Sequence, residues 1–252
     1  MPGDERPPRP PRGVSAAQVD VLRALREGEL EVLGLLPRSS NYTFLVRVQD
    51  GTPERTLAVY KPRAGEAPLW DFPEGTLCSR EVAAFELAAA LGWPWVPPTV
   101  LRNGPHGEGS VQLFVEFEPA KHYLTMRDQR PDDFRRIALF DVVANNADRK
   151  SGHCLLSTDG RVFAIDHGVC FHDEPKLRTV IWDFVGEEIP SAMRADLERL
   201  GADLRDGDLR ERLSRLLLPV EIRAVERRLA ELLEEGRFPE PGPGRPYPWP
   251  IV

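Results

Sequence analysis

Cysteine is scarce in this chain: only three of its 252 residues are cysteines, at Cys78, Cys154 and Cys170. None is spaced as Cys-x-x-Cys, so the pattern argues against a disulfide framework and indicates a reduced, cytoplasmic protein. Long apolar runs are also lacking, since no stretch approaches the about 20 residues of a membrane-spanning helix. The opening MPGDERPPRPPRG has no apolar core, so we expect no signal peptide.

Excess positive charge is lacking as well. The chain has 33 Lys and Arg and 40 Asp and Glu, which gives a formal net charge of -7. Nucleic acids and anionic membranes bind clustered Lys and Arg. We therefore expect no nucleic-acid partner and no integral membrane association. A composition of 41% hydrophobic and 29% charged residues is typical of a globular protein. The length suffices for one large domain or two small lobes.

Proline and glycine concentrate at the two ends of the chain. Residues 1–13 are predicted to be a disordered leader, because they contain almost no apolar side chains. Residues 239–252 are predicted to be a Pro-rich tail. This tail carries Tyr247, Trp249 and Ile251, which are able to dock onto the body of the protein.

The first half of the chain alternates between helical and strand patterns. A helix is predicted from Ser15, where Ser-Ala-Ala-Gln is a capping-box pattern. Two strands follow in NYTFLVRVQDG and RTLAVYKP, joined by a turn around residues 50–51. The next helix, SREVAAFELAAALG, is predicted to be capped by Ser79 and ended by Gly92. WVPPTVLRNGPHGEGSVQLFVEFEP then predicts a strand, a polar turn and a longer strand.

The second half is mainly helical by pattern. PDDFRRIALFDVVANNAD has the spacing of an amphipathic helix, and residues 190–236 are almost entirely helical in pattern. The fold class predicted is α+β, with a small mixed lobe over 14–118 that contains an antiparallel sheet and one helix. A mainly helical lobe follows over 119–238.

The stretch CLLSTDGRVFAID indicates a hairpin. Asp-Gly between two apolar runs is the strongest short-range signal for a two-residue turn. If residues 159–160 form that turn, facing residues have numbers that sum to 319, which places His153 opposite Asp166. Facing residues have Cβ atoms about 4.5–5.5 Å apart. Both side chains are competent metal ligands.

Two simpler interpretations of these residues remain open. One is a cross-strand hydrogen bond between polar residues at the end of a hairpin. The other is a structural zinc site, although the spacing of its potential ligands matches no usual pattern. Those ligands would come from His153, Cys154, His167, Cys170 and His172.

The order of charged residues along the chain favours a nucleotide site. Kinases need a catalytic-loop Asp, a metal ligand five residues later and then a D-x-G Asp. Here Asp148 precedes His153 by five residues, and the D-x-G triplet occupies residues 166–168. Lys61 ends a strand and Glu81 lies early in the next helix, where the two are predicted to pair. Each alone has an ordinary explanation, as a solvated charge or as a group that complements the helix dipole.

Four motifs, AVYKP, REVAAFELA, NNADRK and AIDHG, resemble those of the phosphoinositide 3-/4-kinase superfamily. The resemblance is greatest to small bacterial phosphatidylinositol-kinase-like members and extends more remotely to HipA-type toxin kinases. It covers roughly residues 38–190. It implies a bilobal protein-kinase-like fold, ATP with Mg or Mn as cofactors, and a protein or small molecule as the acceptor.

The resemblance also implies a role for each matching residue. Lys61 would contact the α- and β-phosphates, and Glu81 would orient it. Asp148 would orient or deprotonate the attacking hydroxyl, and Asp166 would bind the metal. The implied nucleotide site is completed by an adenine-binding hinge at Glu116, Phe117 and Glu118 and by a phosphate-covering loop at Ser39, Ser40 and Asn41.

Two residues depart from the family pattern. The catalytic loop usually contains Asp-Arg-His, whereas Lys150 stands here in place of the histidine and is expected to contact phosphate. The usual metal-binding Asn is replaced by His153. Because Mg²⁺ prefers oxygen ligands and imidazole suits Mn²⁺ better, we expect either an altered metal preference or poor transfer.

These observations favour an ATP-dependent phosphotransferase acting on a hydroxyl. The acidic composition, without a polybasic surface, argues against a lipid acceptor. Two other hypotheses remain open. One is a pseudokinase that serves as a nucleotide-binding scaffold. The other is an AMP transferase that binds the nucleotide inverted.

Overall fold

The computed structural model describes residues 14–37, 41–51 and 56–252. The leader predicted over 1–13 and two residues of the predicted phosphate-covering loop, Ser39 and Ser40, lie outside the described residues. Within the described ranges, no helix is long and apolar enough to cross a lipid bilayer.

The first lobe is built on a five-stranded antiparallel sheet with the strand order β1-β2-β3-β5-β4. Four of its strands were predicted, and β1 was not, because β1 is an edge strand that leaves most of its side chains exposed. The strands are β1 (Glu29–Leu35), β2 (Phe44–Gln49), β3 (Thr56–Pro62), β4 (Thr99–Gly104) and β5 (Gly107–Leu113).

The first helix, α1 (Ala16–Glu27), begins where the sequence predicts. The Ser15 hydroxyl accepts a hydrogen bond from the Gln18 amide at 3.3 Å, and the Gln18 side chain accepts one from the Ser15 amide at 2.9 Å. These reciprocal bonds satisfy two helix-terminal N–H groups. The helix packs against the sheet through β4 and β5.

The second helix, α2 (Leu77–Leu91), starts two residues before the predicted cap. Ser79 lies buried inside it, so the prediction of Ser79 as the cap was wrong. The Glu66 carboxylate instead accepts the amides of Leu77 and Cys78 at 3.0 and 2.8 Å. A carboxylate at a helix N-terminus satisfies free N–H groups and the helix dipole. Gly92 ends the helix in the left-handed conformation at φ 74°, as predicted.

The second lobe is mainly helical. One hydrophobic core runs through both lobes, and α2 joins them by packing against the sheet on one side and against α5 and α6 on the other. This α+β architecture agrees with the predicted fold class. The remaining elements are α3 (Tyr123–Met126), α4 (Pro131–Ala144), β6 (Cys154–Leu156), β7 (Val162–Ala164), α5 (Ser191–Asp206), α6 (Asp208–Ser214) and α7 (Pro219–Glu235).

The hairpin of β6 and β7 has a different register from the predicted one. Leu155 pairs with Phe163, so facing residue numbers sum to 318 and not 319. The loop has three residues, 158–160, closed by a bond from the Ser157 amide to the Arg161 carbonyl at 2.9 Å. A two-residue type I′ turn needs positive φ at both central residues, and in this loop only Gly160 has it, at φ 82°.

His153 nevertheless contacts Asp166, but the predicted register does not explain this contact. In the observed register His153 lies opposite Ile165, whose amide donates to the His153 carbonyl at 3.0 Å. Strand alternation would then direct Asp166 to the other face. Because Asp166 has left β7 and adopts a left-handed conformation at φ 59°, that alternation no longer applies.

Candidate active site

Lys61 lies at the centre of the candidate site. It is the penultimate residue of β3, and its Nζ lies 2.5 Å from Glu81 Oε1 and 2.6 Å from Asp166 Oδ1. Burial alone would lower the pKa of the ammonium, but the two carboxylates hold it above its ordinary value. Lys61 is therefore a fixed positive charge that contacts residues from both lobes.

Glu81 is held by both of its carboxylate oxygens. The second, Oε2, accepts the backbone amide of His167 at 3.0 Å. Its helix is fixed by the neighbouring Arg80, which is buried and donates to the Cys170 carbonyl at 2.7 Å and to the Glu221 carboxylate of α7. The predicted pairing of Lys61 with Glu81 is thus built into the packing between the lobes.

His153 and Asp166 are in contact, with Nε2 and Oδ2 3.4 Å apart. Burial lowers the pKa of His153 to about 4, against the attraction of Asp166, so the ring is neutral at pH 7. Burial alone would raise the pKa of Asp166, but Lys61 and His153 keep it below its ordinary value. The pair is therefore a carboxylate beside a neutral imidazole.

Asp148 lies in the loop between α4 and β6. Its carboxylate lies 3.0 Å from Lys150 Nζ, and its amide donates to the Asn146 side chain at 3.0 Å. Burial raises the pKa of Asp148, while Lys150 opposes the shift. Lys150 therefore pairs with the predicted catalytic carboxylate.

Arg149 is a structural residue of the site that the sequence did not reveal. It is fully buried, and its guanidinium contacts the buried Asp141 of α4 at 3.0 Å. It also donates to the Ile165 carbonyl at 2.9 Å and lies 2.7 Å from His167 Nε2. One side chain thus joins α4, the predicted catalytic loop (residues 145–153) and the D-x-G segment. The Asp-Arg dipeptide was visible in the sequence, but the partner Asp141 was hidden inside a helical pattern.

The predicted hinge contacts the hairpin through its backbone. The Glu116 carbonyl accepts the Thr158 amide at 3.1 Å, and the Glu118 amide donates to the Leu156 carbonyl at 2.9 Å. Phe117 lies between these two bonds, and in an antiparallel pair its own N–H and C=O groups point away from the hairpin.

Asn41 is the one residue of the predicted phosphate-covering loop that the structure describes. Its side-chain oxygen accepts the Ala67 amide at 2.8 Å. This bond connects the loop to the segment after β3. The Asn41 side-chain oxygen is therefore engaged within the protein, and its role toward phosphate stays a prediction.

A divalent cation in a nucleotide site needs carboxylate oxygens within reach. Within residues 14–37, 41–51 and 56–252, no three His, Cys, Asp or Glu side chains converge as a metal-binding group. Mg²⁺ in nucleotide enzymes is commonly held by one or two carboxylates together with substrate phosphates. Asp166, which remains ionised, fits that arrangement.

His153 fits a cation in only one of its two neutral forms. Its Nδ1 accepts the Lys150 amide at 3.4 Å, so the proton of the neutral ring lies on Nε2, the atom nearest Asp166. Coordination through Nε2 needs the other tautomer and the loss of this hydrogen bond.

The structure has the features of an atypical kinase. A small mixed lobe is joined to a helical lobe, and a lysine contacts both a helix glutamate and a D-x-G aspartate. Comparison with known proteins agrees with this class. The family model described as phosphatidylinositol 3- and 4-kinase matches residues 101–197. Protein Rv2133c of Mycobacterium tuberculosis is 40% identical over 262 aligned residues, which cover 90% of this chain and 93% of the relative.

The chain belongs to the family of Protein Rv2133c, within the phosphatidylinositol-kinase-like superfamily. Phosphatidylinositol 4-kinase gamma 4 of Oryza sativa subsp. japonica is 28% identical over 171 residues. That match covers 54% of this chain and 30% of the plant protein, so the chain spans about a third of this relative.

Solved kinase structures share the fold at low sequence identity. Hydra Fam20, solved with sugar, has a TM-score of 0.59 and 16% identity, covering 87% of this chain and 88% of that one. The Golgi casein kinase, solved with Mn and ADP, has a TM-score of 0.56 and 17% identity, covering 86% and 74%. The Helicobacter pylori proinflammatory kinase CtkA has a TM-score of 0.52 and 11% identity, covering 85% and 94%.

Proposed function

We propose that this atypical kinase transfers the γ-phosphate of ATP to a hydroxyl of a protein or small-molecule acceptor. The reaction would take place between the lobes formed by residues 14–118 and 119–238. The observation that carries the proposal is the position of Lys61 Nζ, 2.5 Å from Glu81 and 2.6 Å from Asp166. This contact connects the strand, the helix and the D-x-G segment that a nucleotide site requires.

The phosphate end of the site would neutralise negative charge. Lys61, held by Glu81, is suited to contact the α- and β-phosphates, because its ammonium stays protonated. Asp166 would hold a Mg or Mn ion shared with the phosphates, with His153 as the neighbouring donor. The ion would supply charge neutralisation at the transferred group.

The acceptor end of the site would contain Asp148 and Lys150. A partly buried carboxylate with a raised pKa is suited to orient a hydroxyl and to accept its proton. Lys150, 3.0 Å away, would offset charge on the transferred phosphate. The Golgi casein kinase, whose name records a protein acceptor, shares the fold and supports testing proteins first.

The adenine would lie beside Phe117. The backbone groups of Glu116 and Glu118 are bonded to the hairpin, which leaves those of Phe117 to face the base. A small hydrophobic cluster, separate from the main core, supports this position because it offers an apolar surface against which the adenine ring can pack. The cluster is formed by Val115, Leu155 and Phe163, with Ile165 packed against it.

A nucleotide-binding scaffold is the second candidate function, and His153 favours it. The Nδ1 of its ring accepts the Lys150 amide at 3.4 Å, and Asp166 is already in contact with Lys61 and His153. An ion would have to replace these contacts, which favours nucleotide binding with slow transfer.

The deciding experiment measures the intact mass of proteins after incubation with ATP and either Mg²⁺ or Mn²⁺. The enzyme alone is used first, followed by a native lysate with labelled ATP to find acceptors. Gain of one phosphate on a protein is the expected result. Gain of AMP would replace the proposal with nucleotidyl transfer. Thermal stabilisation by ATP without any turnover would favour the scaffold.

A further inference from the structure

The Pro-rich segment at residues 246–252 lies against the catalytic loop. The Ile251 carbonyl accepts the Ser151 amide at 2.8 Å. The Pro246 carbonyl accepts the Thr179 amide at 3.0 Å and Trp182 Nε1 at 3.3 Å. Pro248 is buried between these anchors. The backbone of the segment is therefore fixed by donors from the body of the protein.

The anchored segment leaves its large apolar side chains exposed. The exposed fractions are 47% for Tyr247, 76% for Trp249, 44% for Ile251 and 60% for Val252. These four residues are called the apolar patch below. Four large apolar side chains exposed within six residues are a candidate interaction surface, because exposing them to water is unfavourable.

The apolar patch is adjacent to the proposed site of transfer. Ser151, which is bonded to Ile251, follows Asp148 by three residues, a span of at most about 10 Å along the chain. The catalytic loop also pairs with the segment that anchors Pro246, through a parallel bridge between Arg149 and Thr179. The Ile251 end of the patch is therefore attached to the loop that carries Asp148.

The chemistry of the patch favours a peptide over other acceptors. It projects from an irregular segment at the protein surface, whereas sites for small molecules are concave. Arg245 lies 5.7 Å from the Trp249 ring. Recognition of anionic lipid headgroups takes a cluster of about 4–8 Lys or Arg, and one cation at an aromatic ring is not such a cluster. An extended peptide can place apolar side chains on such a surface while its hydroxyl residue enters the site.

We propose that the apolar patch binds apolar side chains flanking the Ser or Thr hydroxyl of a protein acceptor. This inference rests on the proposed kinase function and adds the substrate class. The patch would act as a specificity surface, since contact with one large apolar side chain changes the rate by about tenfold or more.

The test uses libraries of Ser- and Thr-centred peptides in which one flanking position at a time is fixed. Phosphate transfer from ATP is measured with the full-length protein, and the readout is the ratio of rates for apolar and polar flanks. We expect a ratio of about tenfold at one or more positions. In the double variant Trp249→Gln/Ile251→Gln this ratio should fall to about one. The matched control Val19→Gln, an exposed apolar residue of α1, should retain it.

Parallel binding measurements separate this inference from the proposed function. Fluorescein-labelled peptides from the same library are titrated with the ADP-bound protein and followed by anisotropy. Patch-dependent binding of apolar peptides without transfer would support the patch and contradict the kinase proposal. Transfer without an apolar preference, or a preference that survives in the double variant, would overturn the patch alone. Patch-dependent binding to phosphatidylcholine vesicles in place of peptides would overturn it in favour of a membrane surface.

Discussion

Replacement of Asp141 by Asn is the most informative perturbation of the catalytic loop. Asp141 and Arg149 are both fully buried, and three donor–acceptor distances of 3.0–3.2 Å join them. Asn has nearly the same shape but no charge. The guanidinium would remain buried with neutral partners, the Ile165 carbonyl and His167 Nε2.

The size of the effect follows from the loss of one partner in a buried ion pair. Such a loss costs about 3–5 kcal/mol, because the remaining charge stays desolvated without compensation. Single domains have unfolding free energies of about 5–15 kcal/mol. Asp141→Asn is therefore expected to remove about a fifth of the stability or more.

Urea denaturation of the purified protein measures this loss by linear extrapolation. A double-mutant cycle with Arg149→Met isolates the pair, since the double variant no longer contains an unpaired buried charge. We expect the double variant to be less destabilised than the sum of the two single variants by about 2 kcal/mol or more. A loss below about 1 kcal/mol for Asp141→Asn, or strict additivity, would refute the assignment of Arg149 as a buried link.

Three further predictions concern the site. Asp166→Ala should abolish metal-dependent nucleotide binding, measured by calorimetry, whereas Asp148→Ala should retain binding and lose turnover. Equal loss of binding in the two variants would contradict the roles proposed. His153→Asn should shift the metal preference of transfer from Mn²⁺ toward Mg²⁺, and an unchanged metal dependence would show that the imidazole is no ligand. Without metal, the His153 contribution to the unfolding free energy should fall by up to about 3 kcal/mol between pH 6.5 and 4, because the unfolded chain takes up a proton there while the pKa of folded His153 is about 4. His153→Asn should partly flatten this pH profile, since the buried His167, whose pKa is also lowered, remains.

Local signals in the sequence were sufficient where short-range physics decides the outcome. The capping box at Ser15 and the terminator Gly92 depend on residues within one turn of the helix, and both were predicted correctly. The order of Lys61 and Glu81 predicted a contact that the structure contains. The strand that carries Lys61 and the helix that carries Glu81 follow each other closely in the chain. Few arrangements of these two elements other than the observed one bring the ammonium and the carboxylate together.

Predictions were wrong where the hydrogen-bond partner was not the residue that the local pattern indicated. Ser79 has the chemistry of a helix cap, but Glu66 reaches the free amides of α2 from outside the helix, and the helix begins earlier. The hairpin loop uses three residues because Ser157 pairs with Arg161, which shifts the register by one. The contact of His153 with Asp166 was correct, but it depends on the left-handed backbone of Asp166, which the turn signal did not contain.

The sequence by itself determined the α+β class, with a mixed first lobe and a helical second lobe, and the order of the charged motifs, because periodicity and spacing are local properties of the chain. Only the tertiary structure decided that Asp141 supports Arg149 and that Ile251 lies against Ser151. The first pair combines a helix residue with a loop residue inside the core. The second joins segments 100 residues apart. Such contacts arise when buried charges and backbone donors find partners during packing, and no short stretch of sequence specifies them.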